Sequence, residues 1–151
     1  MELAARPERM FDHMQHMIAG EAPAPPIADL VGLRVIAVRP AEADVELQAG
    51  AHHANPMGTL HGGILCDLAD LAMGAAYAST LAAGETFTTL ELKINFLRPV
   101  WKDTLEAKAK VTSRGRTVGL VECEISDSKG RLVAKSTSTC MTLQKDKHAN
   151  R

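Results

Sequence analysis

The chain has 151 residues, is 46% hydrophobic and 23% charged, and carries a net charge of −1, which fits one ordinary soluble domain with a real core and leaves little room for two. No stretch approaches about 20 charge-free apolar residues, so no membrane span is expected, and no basic patch is interleaved with aromatics as nucleic-acid binding would want. The chain start lacks a basic region followed by an apolar run, so no signal peptide is expected, and Cys66, Cys123 and Cys140 show no paired spacing, which favours a reduced, cytoplasmic setting.

Residues 6–19 read as a helix, with Met10, Phe11, Met14, Met17 and Ile18 on one face. His13 and His16 lie off that stripe and read as solvated. The stretch GEAPAPP, residues 20–26, is a connector that a helix cannot cross, so 1–26 is taken as an N-terminal helix with its linker. Ile27 to Val31 reads as one short turn. Leu33 to Val38 follows as a strand, and Ala43, Val45 and Leu47 alternate with Asp44, Glu46 and Gln48 as a half-buried strand does. From Gly62 to about Leu81 the residues are apolar on every side, as in a helix packed all round, and AAGE (82–85) supplies its stop.

Four more strands are expected. Leu90, Leu92, Ile94 and Phe96 alternate with Glu91, Lys93 and Asn95, and Leu105, Ala107, Ala109 and Val111 alternate with Glu106, Lys108 and Lys110. TVGLVECEIS and LVAKSTSTCMTL are joined by a hairpin turn at Asp127–Gly130. Residues 27–143 thus form one α+β domain, and 144–151 a polar tail. A helix apolar all round needs cover, which a single sheet curled around it and a partner molecule would provide.

Three features carry chemistry. Asn55-Pro56-Met57-Gly58 has the residues a β-turn favours. His61, Gly62 and Gly63 then precede the long helix. Two glycines there suggest that something approaches the backbone closely, and the first helical amides, lacking partners, suit an anion or a developing oxyanion. Asp67 and Asp70 lie three apart on one helix face. A buried carboxylate needs a partner, a shifted pKa or water, so each is either structural or a general base or nucleophile at a cleft. Cys66 reads as a small buried thiol. His52, His53, His61 and Cys66 do not match the usual zinc spacings, and no metal is expected.

Charge is unevenly spread: residues 1–90 hold 4 Lys/Arg against 11 Asp/Glu, and residues 91–151 hold 13 against 7. The positive second half reads either as solvated strand faces or as cations presented to an anionic ligand.

The stretch N-P-x-G-x-x-H-G-G followed by L-x-D-x-A-x-G, ending at Gly74, resembles the signature of hotdog-fold acyl-CoA thioesterases of the phenylacetate-pathway and thioesterase-superfamily-member-2 type. The resemblance covers about residues 30–143. It implies a curved antiparallel sheet wrapped around one long central helix, and dimers joined edge to edge that pair into homotetramers. It implies that Asp70 is the catalytic carboxylate and that Asp67 is not. It assigns the Gly62 amide to the thioester carbonyl, with His61 and Asn55 lining the same pocket, these three coming from the neighbouring protomer. A hydroxyl that positions water matches Thr89, or Thr88 if the loop is counted differently. Gly63, Arg98, Arg114, Gly115, Arg116 and Thr117 become candidates for CoA contacts. The function so implied is hydrolysis of acyl-CoA, with CoA entering as part of the substrate and no separate cofactor. A non-hydrolytic acyl-CoA binder and a hotdog dehydratase are the alternatives. Ala69, Ala72, Ala75 and Ala76, with the Met-rich first helix, suit aromatic or medium-chain acyl groups, and the resemblance favours aryl or arylacetyl ones.

Overall fold

The computed structural model describes residues 8–144. Its elements are α1 (Met10–Ile18), α2 (Pro26–Val31), β1 (Leu33–Arg39), β2 (Glu42–Ala49), a 3-10 turn (Ala51–His53), α3 (Gly62–Ala78), β3 (Glu85–Phe96), β4 (Asp103–Arg114), β5 (Val118–Ser126) and β6 (Leu132–Gln144). One six-stranded sheet runs β1-β2-β4-β5-β6-β3, every neighbouring pair antiparallel. It wraps α3, as a hotdog fold requires. Both ends of the sheet, β1 and β3, are edges of the single chain. Of the expected tail, residues beyond Gln144 lie outside the described residues, as do residues 6 and 7 of the expected first helix.

The core follows the alternation. Ala43, Val45, Leu47, Leu105 and Ala107 are fully buried from the sheet, and Leu68, Ala69, Ala72, Met73 and Ala76 meet them from α3. Small residues let the helix sit close to the concave sheet, so Ala69, Ala72 and Ala76 serve packing rather than an acyl pocket. Removing the Leu68 side chain would leave a hole between rigid neighbours. Leu68→Ala is expected to cost about 2–5 kcal/mol of stability, read as a lower midpoint in urea unfolding.

The helix ends earlier than its composition suggests, at Ala78 rather than Leu81. Ser79 Oγ donates to Ala76 O at 2.6 Å and Thr80 Oγ1 to Tyr77 O at 2.7 Å, so two hydroxyls satisfy the last carbonyls. Gly84, with φ +83°, belongs to the turn into β3 instead. Nor is α3 covered on every side. Its second half is buried all round, whereas Gly63 and Asp70 are exposed and Cys66 and Asp67 half-buried.

β3 holds the other departure. Its pairing with β6 shifts between Thr89 and Glu91, a β-bulge at Leu90. Leu90 is consequently 53% exposed and does not join the inner face with Leu92 and Ile94. Phe96, expected inward, is also largely exposed, its ring lying instead against the start of α3.

α1 is anchored on β1 by buried Met14 and by Gln15 Nε2, which donates to Val38 O at 2.8 Å. His13 and His16 are exposed, and His16 Nδ1 lies 2.6 Å from Glu21 Oε2.

Candidate functional site

Asp70 projects from the open face of α3, and Thr89 Oγ1 on β3 donates to its Oδ1 at 3.2 Å. The bulge is what brings them together. Thr89 lies on the inner face before it, and Thr88, exposed and on the opposite face, does not reach the carboxylate. The pair stands at one end of a cavity of about 360 Å³ between α1, α3 and β3, otherwise lined mainly by apolar side chains. Of the four alanines expected in such a wall, only Ala75 is there.

Cys66 and Asp67 flank Asp70 along a shallow opening beside β3. Burial and the two neighbouring carboxylates push the Cys66 thiol up, which keeps it protonated and unsuited to nucleophilic attack. Burial first, and then the charge of Asp70, raises the Asp67 carboxyl above the usual carboxylate range. A raised folded-state pKa means that the folded chain holds its proton longer than the unfolded chain. The ionised form therefore costs stability above the ordinary Asp pKa of about 4. Asp67→Asn is expected to raise Tm at neutral pH and to leave it little changed below about pH 3, which paired thermal melts would check.

Gly62 opens α3, preceded by His61 at the N-cap with no side chain capping the helix. Its first amides are therefore open to a ligand. The closely approaching groups that the two glycines accommodate come from the chain itself. A Cβ on Gly62 would lie 2.9 Å from Phe96 Cζ, and one on Gly63 would lie 3.3 Å from His61 Nε2. Gly62 lines a cavity of about 420 Å³ with Asn55, Phe96 and Arg98. His61 is exposed and not part of that wall. Asn55 is committed to its own turn. Its Oδ1 accepts from the Met57 and Thr59 amides, and its Nδ2 donates to Thr59 Oγ1 at 2.8 Å. It shapes the loop that enters α3. His53 is likewise structural: Nδ1 accepts from Gly50 N–H, so Nε2–H donates to Val31 O at 2.7 Å.

Within one chain these two regions stand apart. Gly62 and Asp70 are eight residues apart on α3, about 12 Å along the axis.

The hairpin of Arg114, Gly115, Arg116 and Thr117 lies at the far end of α3. Arg114 is occupied there: its guanidinium sits 4.8 Å over the Tyr77 ring, and Nε donates to Thr80 Oγ1 at 2.9 Å. Arg114 also donates to Gly115 O. Thr117 O accepts from Thr142 N–H at 2.7 Å, and a Cβ at Gly115 would strike Val118 O at 2.7 Å. Arg116 is the exposed cation of the turn. Part of the positive charge of the second half is spent elsewhere. Lys108 and Lys110 pair in register with Glu124 and Glu122 on the outer sheet face, and Lys135 Nζ lies 3.3 Å from Glu124 Oε1. Strand-face solvation accounts for these lysines, and Arg98 and Arg116 stand outside it.

The family model described as the thioesterase superfamily matches residues 57–134. The acyl-coenzyme A thioesterase PaaI of Escherichia coli is 35% identical over 109 residues, covering 71% of this chain and 75% of its own. The solved structure of the E. coli PaaI protein superposes with a TM-score of 0.78 at 27% identity, covering 89% of this chain and 94% of that one. The conserved protein PA5202 of Pseudomonas aeruginosa gives a TM-score of 0.76 at 35% identity, covering 80% of this chain and 95% of that one.

Proposed function

Because the chain belongs to the thioesterase superfamily and is a thioester hydrolase, we propose that it cleaves acyl-CoA to free acid and CoA, with Asp70 as the group that drives the attack. The observation that carries this reading is the Thr89–Asp70 hydrogen bond at the mouth of an apolar cavity. A carboxylate held by a hydroxyl next to an acyl-sized space is placed to act on a thioester carbonyl.

Asp70 acts in one of two ways. As general base it takes a proton from water while the oxygen attacks the carbonyl carbon. As nucleophile it attacks directly, forming a mixed anhydride that water then opens. In both, the C–S bond breaks and CoA leaves as a thiolate that regains a proton. Thr89 orients the carboxylate or the water. Negative charge growing on the carbonyl oxygen is met by a Gly62 N–H at a helix start.

One carbonyl cannot touch both groups in one chain, since about 12 Å separates them along α3. Two copies resolve this. β3 is an edge strand with unpaired backbone groups and an outward Leu90, and pairing it with the partner's β3 would set two α3 helices side by side. Asp70 of one protomer then faces the partner's Gly62, with His61 on the rim and Asn55 holding the loop. Arg98 beside Gly62 and Arg116 at the hairpin tip supply cations for the CoA phosphates and Gly63 offers backbone to the nucleotide, while Gly115 and Thr117, bonded within the chain, shape the hairpin that presents Arg116.

Incubation with octanoyl-CoA and a colorimetric thiol reagent tests the reading. Saturable release of free CoA is expected. Tight binding of the thioester without release would instead make the protein a binder.

A further inference from the structure

The cavity that begins at Asp70 and Thr89 has a length as well as a volume. It follows α3 from Asp70 past Gly74 and Ala75 to Ala78, eight residues or about 12 Å. A stretched backbone advances about 3.5 Å over three bonds, so an extended carbon chain of about ten bonds fits this run. The floor carries no side chain larger than methyl at Gly74, Ala75 and Ala78, and a Cβ on Gly74 would already lie 3.2 Å from Phe87 Cζ. The roof is Met10, Met14 and Met17 of α1, unbranched thioethers that adapt to a flexible tail. Polar groups cluster at Asp70 and Thr89, with His13 on the exposed side.

We infer that this groove holds the acyl tail and that α1 with Ala78 sets its length, which makes straight medium-chain acyl thioesters the preferred substrates. The inference rests on the hydrolytic reading above and adds its substrate class. α1 is a specificity element rather than an appendage: its methionines roof an otherwise open helix face and make it a groove.

The test is kcat/KM for acetyl-, hexanoyl-, decanoyl-, tetradecanoyl- and phenylacetyl-CoA, measured on the wild type and two variants. In the wild type, kcat/KM rises with tail length to decanoyl, by up to about fourfold per buried methylene, and falls at tetradecanoyl. Ala78→Leu fills the groove where Ala78 lines it and lowers the decanoyl-to-hexanoyl ratio by about tenfold or more. Met17→Ala thins the roof and raises the tetradecanoyl-to-decanoyl ratio. A variant that only loosens the fold lowers both members of a ratio together, so the ratios report the slot itself. Ratios unmoved in both variants, or a wild-type optimum at acetyl, tetradecanoyl or phenylacetyl, would overturn the inference while leaving hydrolysis in place. Failure to cleave any of the five would instead remove the hydrolytic reading.

Discussion

Asp70→Asn is expected to lower kcat for acyl-CoA hydrolysis by about 10³-fold or more, towards the upper end of what a positioned proton acceptor contributes. The substitution is nearly isosteric and the Asn carbonyl can still accept the hydrogen bond that Thr89 donates at 3.2 Å. It removes only the charge, and with it the ability either to take a proton from water or to attack a carbonyl. Asp70 is exposed in the chain and away from the packed core, so Tm should stay within about 2 °C, a shift that corresponds to about 0.5–1 kcal/mol in a chain of this length. The comparison is therefore clean: turnover by thiol release against melting by circular dichroism. Near-normal turnover in a folded Asp70→Asn protein would take Asp70 out of the chemistry, whichever route it serves.

The second large effect is a rescue. Asp70→Asn and Gly62→Val should each be nearly inactive, the latter because a side chain at Gly62 collides with the Phe96 ring beside the first amides of α3. Mixed in equal amounts and allowed to exchange subunits, they should regain about a quarter of wild-type activity. Half of the dimers are then mixed, and a two-fold symmetric pair carries two sites. In each mixed dimer one site receives both lesions and the other receives neither. Activity that stays at the sum of the two parents would mean that each site is built within one chain.

The alternating strands were legible because alternation is a local signal. Ala43, Val45 and Leu47 are buried where the pattern places them, and the Asp127–Gly130 turn sits where its residues demand, with Asp127 Oδ1 accepting from the Lys129 and Arg131 amides. What escaped depended on contacts far apart in the chain. The end of α3 is decided by two hydroxyls that composition does not distinguish from other polar residues. Arg114 looks like any exposed cation until Tyr77, 37 positions earlier, is found beneath it. The methionine stripe of α1 announces an apolar face but not that part of that face overlooks a space. At the candidate site, the motif singles out Asp70 as the proposed carboxylate. The choice between Thr89 and Thr88 required the register of β3 on β6, which no local pattern reveals because a bulge leaves propensity unchanged.

That bulge has an evolutionary consequence. A regular strand has a single parity, so a chain that turned Thr89 towards Asp70 would also turn Glu91 and Lys93 towards the core and Leu92 and Ile94 towards solvent. The extra residue at Leu90 lets one strand carry two reading frames, one for the hydroxyl and one for the core. No single substitution can then move the hydroxyl to the other face; only an insertion or deletion can. Shortening β3 by one residue there would force a choice between a positioned hydroxyl and a buried core. Descendants of this chain are therefore held to keeping the length of β3 at this point.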